Sequence, residues 1–233
     1  MHLPAAQRAL GSPTVPLCLS PPPQNVPRYQ TLVSGAEPVE SRLRDALPEF
    51  LNAEIALRTV GDVSTAIAWL RTTYFHVRVR ADPAAYAVPP PLRRDAASLE
   101  RWMREALVLS AVRELAKQGL VRTDEDGFSL EPLQPGVIMA ENYVRLPTMA
   151  LVAGCPPGGG AAELLWVVAR SAELSGIKLR RNEKKALNAL NRGDGVRFHV
   201  MSAAKPDRVA DRVATAADKI FLLVRDSGGQ PDA

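Results

Sequence analysis

Lys178, Arg180, Arg181, Lys184, Lys185, Arg192 and Arg197 crowd one stretch of the chain, interrupted by the acids Glu183 and Asp194. Closely spaced cations of this kind neutralise phosphates and displace the counterions around a nucleic-acid backbone. They are therefore the candidate nucleic-acid-binding residues. The same residues also suit the wet face of a helix whose dry face holds Leu187 and Leu190. The sequence leaves both readings open. No aromatic residue interleaves the cluster, which argues against a platform for stacking single-stranded bases.

Other residues with chemical capacity lack a constellation. His2, His76 and His199 have no Cys, Asp or Glu at ligand spacing, so no metal site is expected. Cys18 and Cys155 form neither a zinc pattern nor a disulfide framework, which points to a reducing compartment. Glu49 and Glu54 share a helix but face different sides, so they read as solvated or salt-bridged carboxylates rather than an acid–base pair. Glu54 also suits a structural hydrogen bond. Ser34 and Ser171 lack a nucleophile elbow. The turn Asp124–Gly127 lacks the later ligands of a calcium loop. No G-x-x-x-x-G-K-[ST] occurs anywhere, and none follows the run Gly154–Gly160. That run reads as a linker, and no cofactor and no ATP turnover are expected of this chain alone.

The elements that must position these residues follow from periodicity. Leu43, Leu47, Leu51 and Ile55 predict a helix over 39–57, broken near Leu47 by Pro48. A turn through Thr59-Val60-Gly61-Asp62 ends in a carboxylate suited to cap a second helix, 63–80, which Asp82-Pro83 stops. Two helices about such a turn form a helix-turn-helix core. A third helix, 96–118, buries Leu99, Met103, Leu107 and Leu115 and ends at Gly119. Short strands at 120–123 and 128–130 make a wing-like hairpin. Pro135-Gly136 opens a helix to Arg145, ended by Pro147. Further helices are predicted over 161–175, with Leu165, Val168 and Ala172 inward, over 183–191, capped by Asn182, and over 207–224. The last is apolar nearly all round at its end, through Ile220, Phe221, Leu222, Leu223 and Val224, and so calls for burial on every side.

Bulk properties bound the reading. The 233 residues carry a net charge of +4 and are 46% hydrophobic but only 5% aromatic. Aliphatic helix–helix cores are expected, with room for two small domains. Mild basicity permits a polyanionic partner without demanding one. No apolar run approaches the roughly 18 residues of a membrane span. The prolines of residues 1–28, from Pro4 to Pro27, block regular structure, so 1–37 reads as a disordered Pro-rich leader.

Several stretches resemble one family. Val39-Glu-Ser-Arg-Leu43, Phe50-Leu-Asn-Ala-Glu-Ile55, Trp69-Leu-Arg-Thr-Thr-Tyr74 and Asp82-Pro-Ala-Ala-Tyr86 resemble the winged-helix region of Ski-type superfamily-two helicases. Tyr29-Gln-Thr-Leu-Val-Ser-Gly35 and Leu179-Arg-Arg-Asn-Glu-Lys-Lys-Ala-Leu-Asn-Ala-Leu-Asn191 resemble the meiotic crossover branch, of HFM/Mer type. Leu133-Gln-Pro-Gly-Val-Ile-Met-Ala140 and Leu146-Pro-Thr-Met149 are similar to the segment joining its winged helix to its SEC-type helical domain.

The resemblance implies a mainly α fold: a winged helix with a short β-hairpin wing over 38–147, then an incomplete helical bundle, 148–233, cut short of the family's later helices. It implies an accessory segment of an ATP-dependent DNA helicase of meiotic recombination, acting in the nucleus. Its partners would be DNA, held weakly and electrostatically, and helicase motor domains in cis or in trans, with no membrane. The motor lobes would precede residue 28, so no catalytic residue is carried over. Two other classes stay open: a free-standing winged-helix nucleic-acid-binding module, with Arg71 and Arg78 available to read bases, and an interaction module of an RNA-helicase relative.

Overall fold

Pro27 opens the first helix, α1, which spans Val26–Val33. A proline suits the first helical turn because the N–H it lacks would have no partner there. The computed structural model describes residues 25–35, 39–124, 129–193, 195–205 and 207–226. It divides into two units, Met1–Glu40 and Ser41–Ala233. The predicted leader lies outside the described residues up to 24. Beyond that point, α1 stands where extended chain was expected.

The second unit begins with a 3-10 turn, Leu43–Ala46, followed by α2, Leu47–Ala56. The break near Leu47 is present as predicted, with Pro48 in the first turn of α2. Arg58 takes the left-handed conformation after α2, at φ 64°. Asp62 then caps α3, Val63–Thr72: its carboxylate accepts from the Thr65 N–H at 2.7 Å, and the Thr65 hydroxyl accepts from the Asp62 N–H. This reciprocal box is the predicted cap.

The single helix expected over 63–80 is two. Thr73 is extended, and its hydroxyl donates to the Leu70 carbonyl while accepting from the His76 N–H, which opens α4, Tyr74–Ala81. A threonine that offers local hydrogen bonds competes with helix continuation. The third helix runs from α5, Ala96–Trp102, through a π-helical segment, Met103–Val108, into α6, Leu109–Lys117. Its predicted stripe is buried, and Gly119, at φ 68°, ends it.

The hairpin pairs β1, Val121–Thr123, with β2, Leu130–Pro132, antiparallel, with Arg122 opposite Glu131. It sits slightly later than predicted, with Leu120, Val121 and Leu130 all turned into the core. Its tip, 125–128, lies outside the described residues. The Leu130 N–H donates to the Gly61 carbonyl at 2.8 Å, tying wing to turn.

α7 spans Gln134–Glu141 and packs on α2. It stops earlier than predicted, at Tyr143 with φ 54°. Pro147 does not end a helix but opens α8, Leu146–Ala153, for the same reason as Pro27. α2 and α7 approach closely: the buried Asn52 donates to the Gly136 carbonyl at 2.8 Å, and a Cβ on Gly136 would lie 2.2 Å from the Leu120 carbonyl oxygen. One aliphatic core, from Leu47 to Met149, joins these elements, with Phe75 edge-on to Tyr86 at 5.1 Å.

A second core gathers Ala169, Leu187, Val196, Val200, Val213, Ile220, Phe221 and Leu222. α9, Ala161–Ala169, ends six residues before its predicted limit and turns Leu165, Trp166 and Ala169 inward, leaving Val168 exposed. Arg181–Glu183 form a 3-10 turn leading into α10, Lys184–Arg192. The Glu183 carboxylate accepts from the Arg180 N–H at 3.1 Å, so Glu183 rather than Asn182 caps this entry.

The last helix, α11, is Ala216–Asp226 and not 207–224. Thr215 and Asp218 cap it reciprocally. The preceding segment is held as irregular chain by Asn188 and Asn191 of α10. The burial that its apolar end calls for is met within this chain at three of the five positions. Ile220, Phe221 and Leu222 are buried, with Phe221 stacked on Trp166 at 4.3 Å, and only Leu223 and Val224 remain exposed among the five apolar residues. No helix among the described residues is long and apolar enough to cross a membrane.

Candidate nucleic-acid interface

α10 carries the basic cluster because its two faces have different duties. Leu187 and Asn191 point inward and are buried, while Lys184, Lys185 and Arg192 are exposed. Asn191 is fully buried. Its amide oxygen accepts from the Val200 N–H at 2.7 Å, and its nitrogen donates to the Val200 and Ala210 carbonyls at 3.2 Å each. One turn earlier, the Asn188 oxygen accepts from the Val213 N–H at 2.7 Å. These asparagines clamp the irregular segment 195–215 onto α10 and so fix the orientation of its wet face. Sequence reasoning quoted both within a family motif but assigned them no role. The available signal was polar residues placed three apart beside Leu187 and Leu190 on the apolar stripe.

The seven predicted residues are all exposed, but they are not equivalent. Arg192 is committed: its guanidinium donates to the Asp211 carbonyl at 2.6 Å. Arg197 lies over the Phe198 ring at 5.2 Å. The Lys178 carbonyl accepts from Lys219 at 3.1 Å. Arg181, Lys184 and Lys185 make no side-chain hydrogen bond or ion pair among the described residues.

Glu183, which interrupts the cluster in sequence, is neutralised from outside it. The Lys219 ammonium of α11 sits 2.7 Å from its carboxylate. The hydrogen bond from Lys219, and then that from the Arg180 N–H, hold the Glu183 carboxyl below its ordinary pKa. Glu183 is thus bonded to Lys219 of α11 and to the backbone of Arg180. Among the described residues Arg181, Lys184 and Lys185 thus present a face without a carboxylate partner, suited to phosphate oxygens and without means of reading bases.

The two carboxylates weighed for acid–base chemistry serve the architecture. Glu49 accepts from the Leu146 N–H at 3.0 Å and approaches Arg145 at 3.8 Å. Glu54 accepts from the Thr59 hydroxyl, a local structural bond. Glu173 is a further junction residue. It accepts from the Arg145 N–H at 2.7 Å and the Thr148 hydroxyl at 2.5 Å, and that hydroxyl in turn accepts from the Ala172 N–H.

Comparison with known proteins agrees with this layout. The winged helix-turn-helix domain family matches residues 40–106, and the Sec63 Brl domain family matches residues 132–227. The Sec63 match thus begins ahead of the predicted boundary at 148 and takes in α7, which packs into the first core. The chain is 38% identical over 205 residues to the ATP-dependent DNA helicase MER3 homolog of Oryza sativa subsp. japonica, covering 87% of this chain and 17% of that protein. Identity is 35% over 205 residues to the ATP-dependent DNA helicase homolog MER3 of Arabidopsis thaliana, covering 87% and 18%. It is 33% over 165 residues to the probable ATP-dependent DNA helicase HFM1 of Homo sapiens, covering 71% and 11%. The chain spans less than a fifth of the length of these curated relatives.

Proposed function

We propose that this chain, which matches the winged helix-turn-helix and Sec63 Brl families and is similar to the MER3 and HFM1 helicases, belongs with them and serves as the DNA-holding accessory segment of a meiotic-type helicase in the nucleus. In this reading the first core is the rigid support. The face of α10 touches the sugar–phosphate backbone, and ATP-hydrolysing domains act on it in cis or in trans. The observation that supports the reading is that Arg181, Lys184 and Lys185 are exposed and, among the described residues, without a side-chain partner, while the nearby Glu183 is paired with Lys219.

Contacts of this kind are electrostatic and indifferent to base sequence, so affinity falls steeply with salt. The test is fluorescence anisotropy with labelled DNA strands of several sequences, comparing the chain with its K184E/K185E variant. The variant should bind every strand more weakly. Equal binding by both proteins would assign the cluster to the wet face of α10 alone.

A further inference from the structure

We propose that the winged helix carries a second phosphate-contacting strip, formed by Arg71, Arg80, Arg101 and Arg104 where α3 and α4 meet the π-helical segment, and that it takes the backbone of the same nucleic acid. Two clefts define it. One, of about 670 Å³, is lined by Arg71, Arg101 and Arg104 with Glu100, Glu105 and an apolar floor that includes Ile67. The other, of about 220 Å³, is lined by Arg71, His76, Arg80 and Glu100. Arg71 and Glu100 line both, so the clefts form one continuous strip.

Its charge is unbalanced. Arg71 pairs with Glu100. Arg80, Arg101 and Arg104 are exposed and make no side-chain hydrogen bond or ion pair among the described residues. Four guanidinium groups thus meet Glu100 and Glu105, with the Asp95 carboxylate also within electrostatic reach of Arg101. Burial chiefly, and then the nearby Arg80 and Arg71, push the His76 pKa below the ordinary histidine value. A guanidinium offers a planar fork that matches two phosphate oxygens, and an apolar floor strengthens that pairing.

The backbone is shaped here as well. The Leu109 N–H donates to the Arg104 carbonyl, a π-type bond in the midst of an otherwise α-helical run. Such insertions re-aim side chains and recur at functional sites. In this one the inward residues Met103, Leu107 and Val108 stay buried while Arg104 is exposed, and Arg101 lies just ahead of it at the end of α5. No residue of this strip belongs to the α10 cluster.

The inference rests on nucleic acid being the ligand proposed above, and the test separates the two sites. The full chain, R101Q/R104Q, R80Q and K184E/K185E are titrated with one labelled single strand across a salt series. Each lost phosphate contact lowers the slope of log affinity against log salt by about 0.7, so R101Q/R104Q should lower it by about 1.4 and R80Q by about half that. Thermal melting should stay unchanged, since these side chains are exposed. Parental slopes in both arginine variants, with weakened binding in K184E/K185E, would overturn the strip and leave the α10 reading standing. A reduced slope in the arginine variants alone would support the strip and remove the α10 cluster.

Discussion

Asn191 and Val200 exchange two hydrogen bonds, side chain to backbone: the Val200 N–H donates to the Asn191 amide oxygen at 2.7 Å, and the Asn191 amide nitrogen donates to the Val200 carbonyl at 3.2 Å. The asparagine acts as a one-residue strand edge projecting from a helix. It lets chain with little secondary structure of its own lie against α10 without burying unpaired backbone groups.

N191A should therefore free the segment 195–215. Each buried polar group left without a partner costs about 1–3 kcal/mol. Hydrogen exchange at the Val200 amide is the direct readout and should accelerate strongly, while amides of α2 stay protected. Unchanged protection at Val200 would mean that the clamp is dispensable.

Arg192 should separate from the other members of its cluster. Its bond to the Asp211 carbonyl makes it a structural residue. R192A should lower the stability of the second core by about 1 kcal/mol, as loss of one hydrogen bond does. Its effect on the salt slope of DNA binding should be smaller than that of K184A. Calorimetry and the same anisotropy titration decide; a larger slope change in R192A would return it to the phosphate-binding set.

Gly136 should not tolerate a side chain. An added Cβ would meet the Leu120 carbonyl oxygen at 2.2 Å and the Asn52 side-chain oxygen at 2.8 Å, and the first of these is backbone. α7 would have to move off α2. Overpacking of this kind costs about 1–3 kcal/mol, so G136A should lower the melting temperature of the winged helix. A melting curve matching the parent would show that α7 shifts freely.

Acid should loosen the junction held by Glu173. Burial raises its carboxyl pKa, but hydrogen bonds from the Thr148 hydroxyl and the Arg145 N–H outweigh that, and the net value lies below the ordinary one. A carboxyl depressed in the folded state stabilises the fold above its unfolded pKa, near 4.3. That contribution is lost as pH falls through the lower folded value. E173Q should flatten this acid limb in a melting-temperature profile. An identical limb in E173Q would place the acid sensitivity elsewhere.

Several local features were legible in the sequence because their physics is local. Pro48 marks a helix start, Asp62 with Thr65 makes a capping box, and Gly119 supplies a left-handed stop; each acts within one turn of chain. The exposure of the basic cluster was legible for the same reason, since Leu187 defines the opposite face of α10. Family wording carried the overall architecture further than periodicity could.

Tertiary contacts decided the rest. One local feature was also passed over: Thr73 splits a helix that apolar spacing alone would continue, because its hydroxyl offers competing bonds to residues three positions away on either side. Periodicity over 207–224 suggested a helix, yet Asn188 and Asn191 hold the backbone of Val213 and Ala210 in another form until Thr215 and Asp218 cap a shorter one. Asn52 and Gly136, far apart in the chain, meet only once the core has formed. Lys219 reaches Glu183 across 36 positions and pairs the acid that interrupts the basic cluster. Helix propensity and capping act over a few residues, so sequence pattern reveals them. The partner of a buried amide or a paired carboxylate depends on which distant segment folding brings within 3 Å, and no local pattern encodes that.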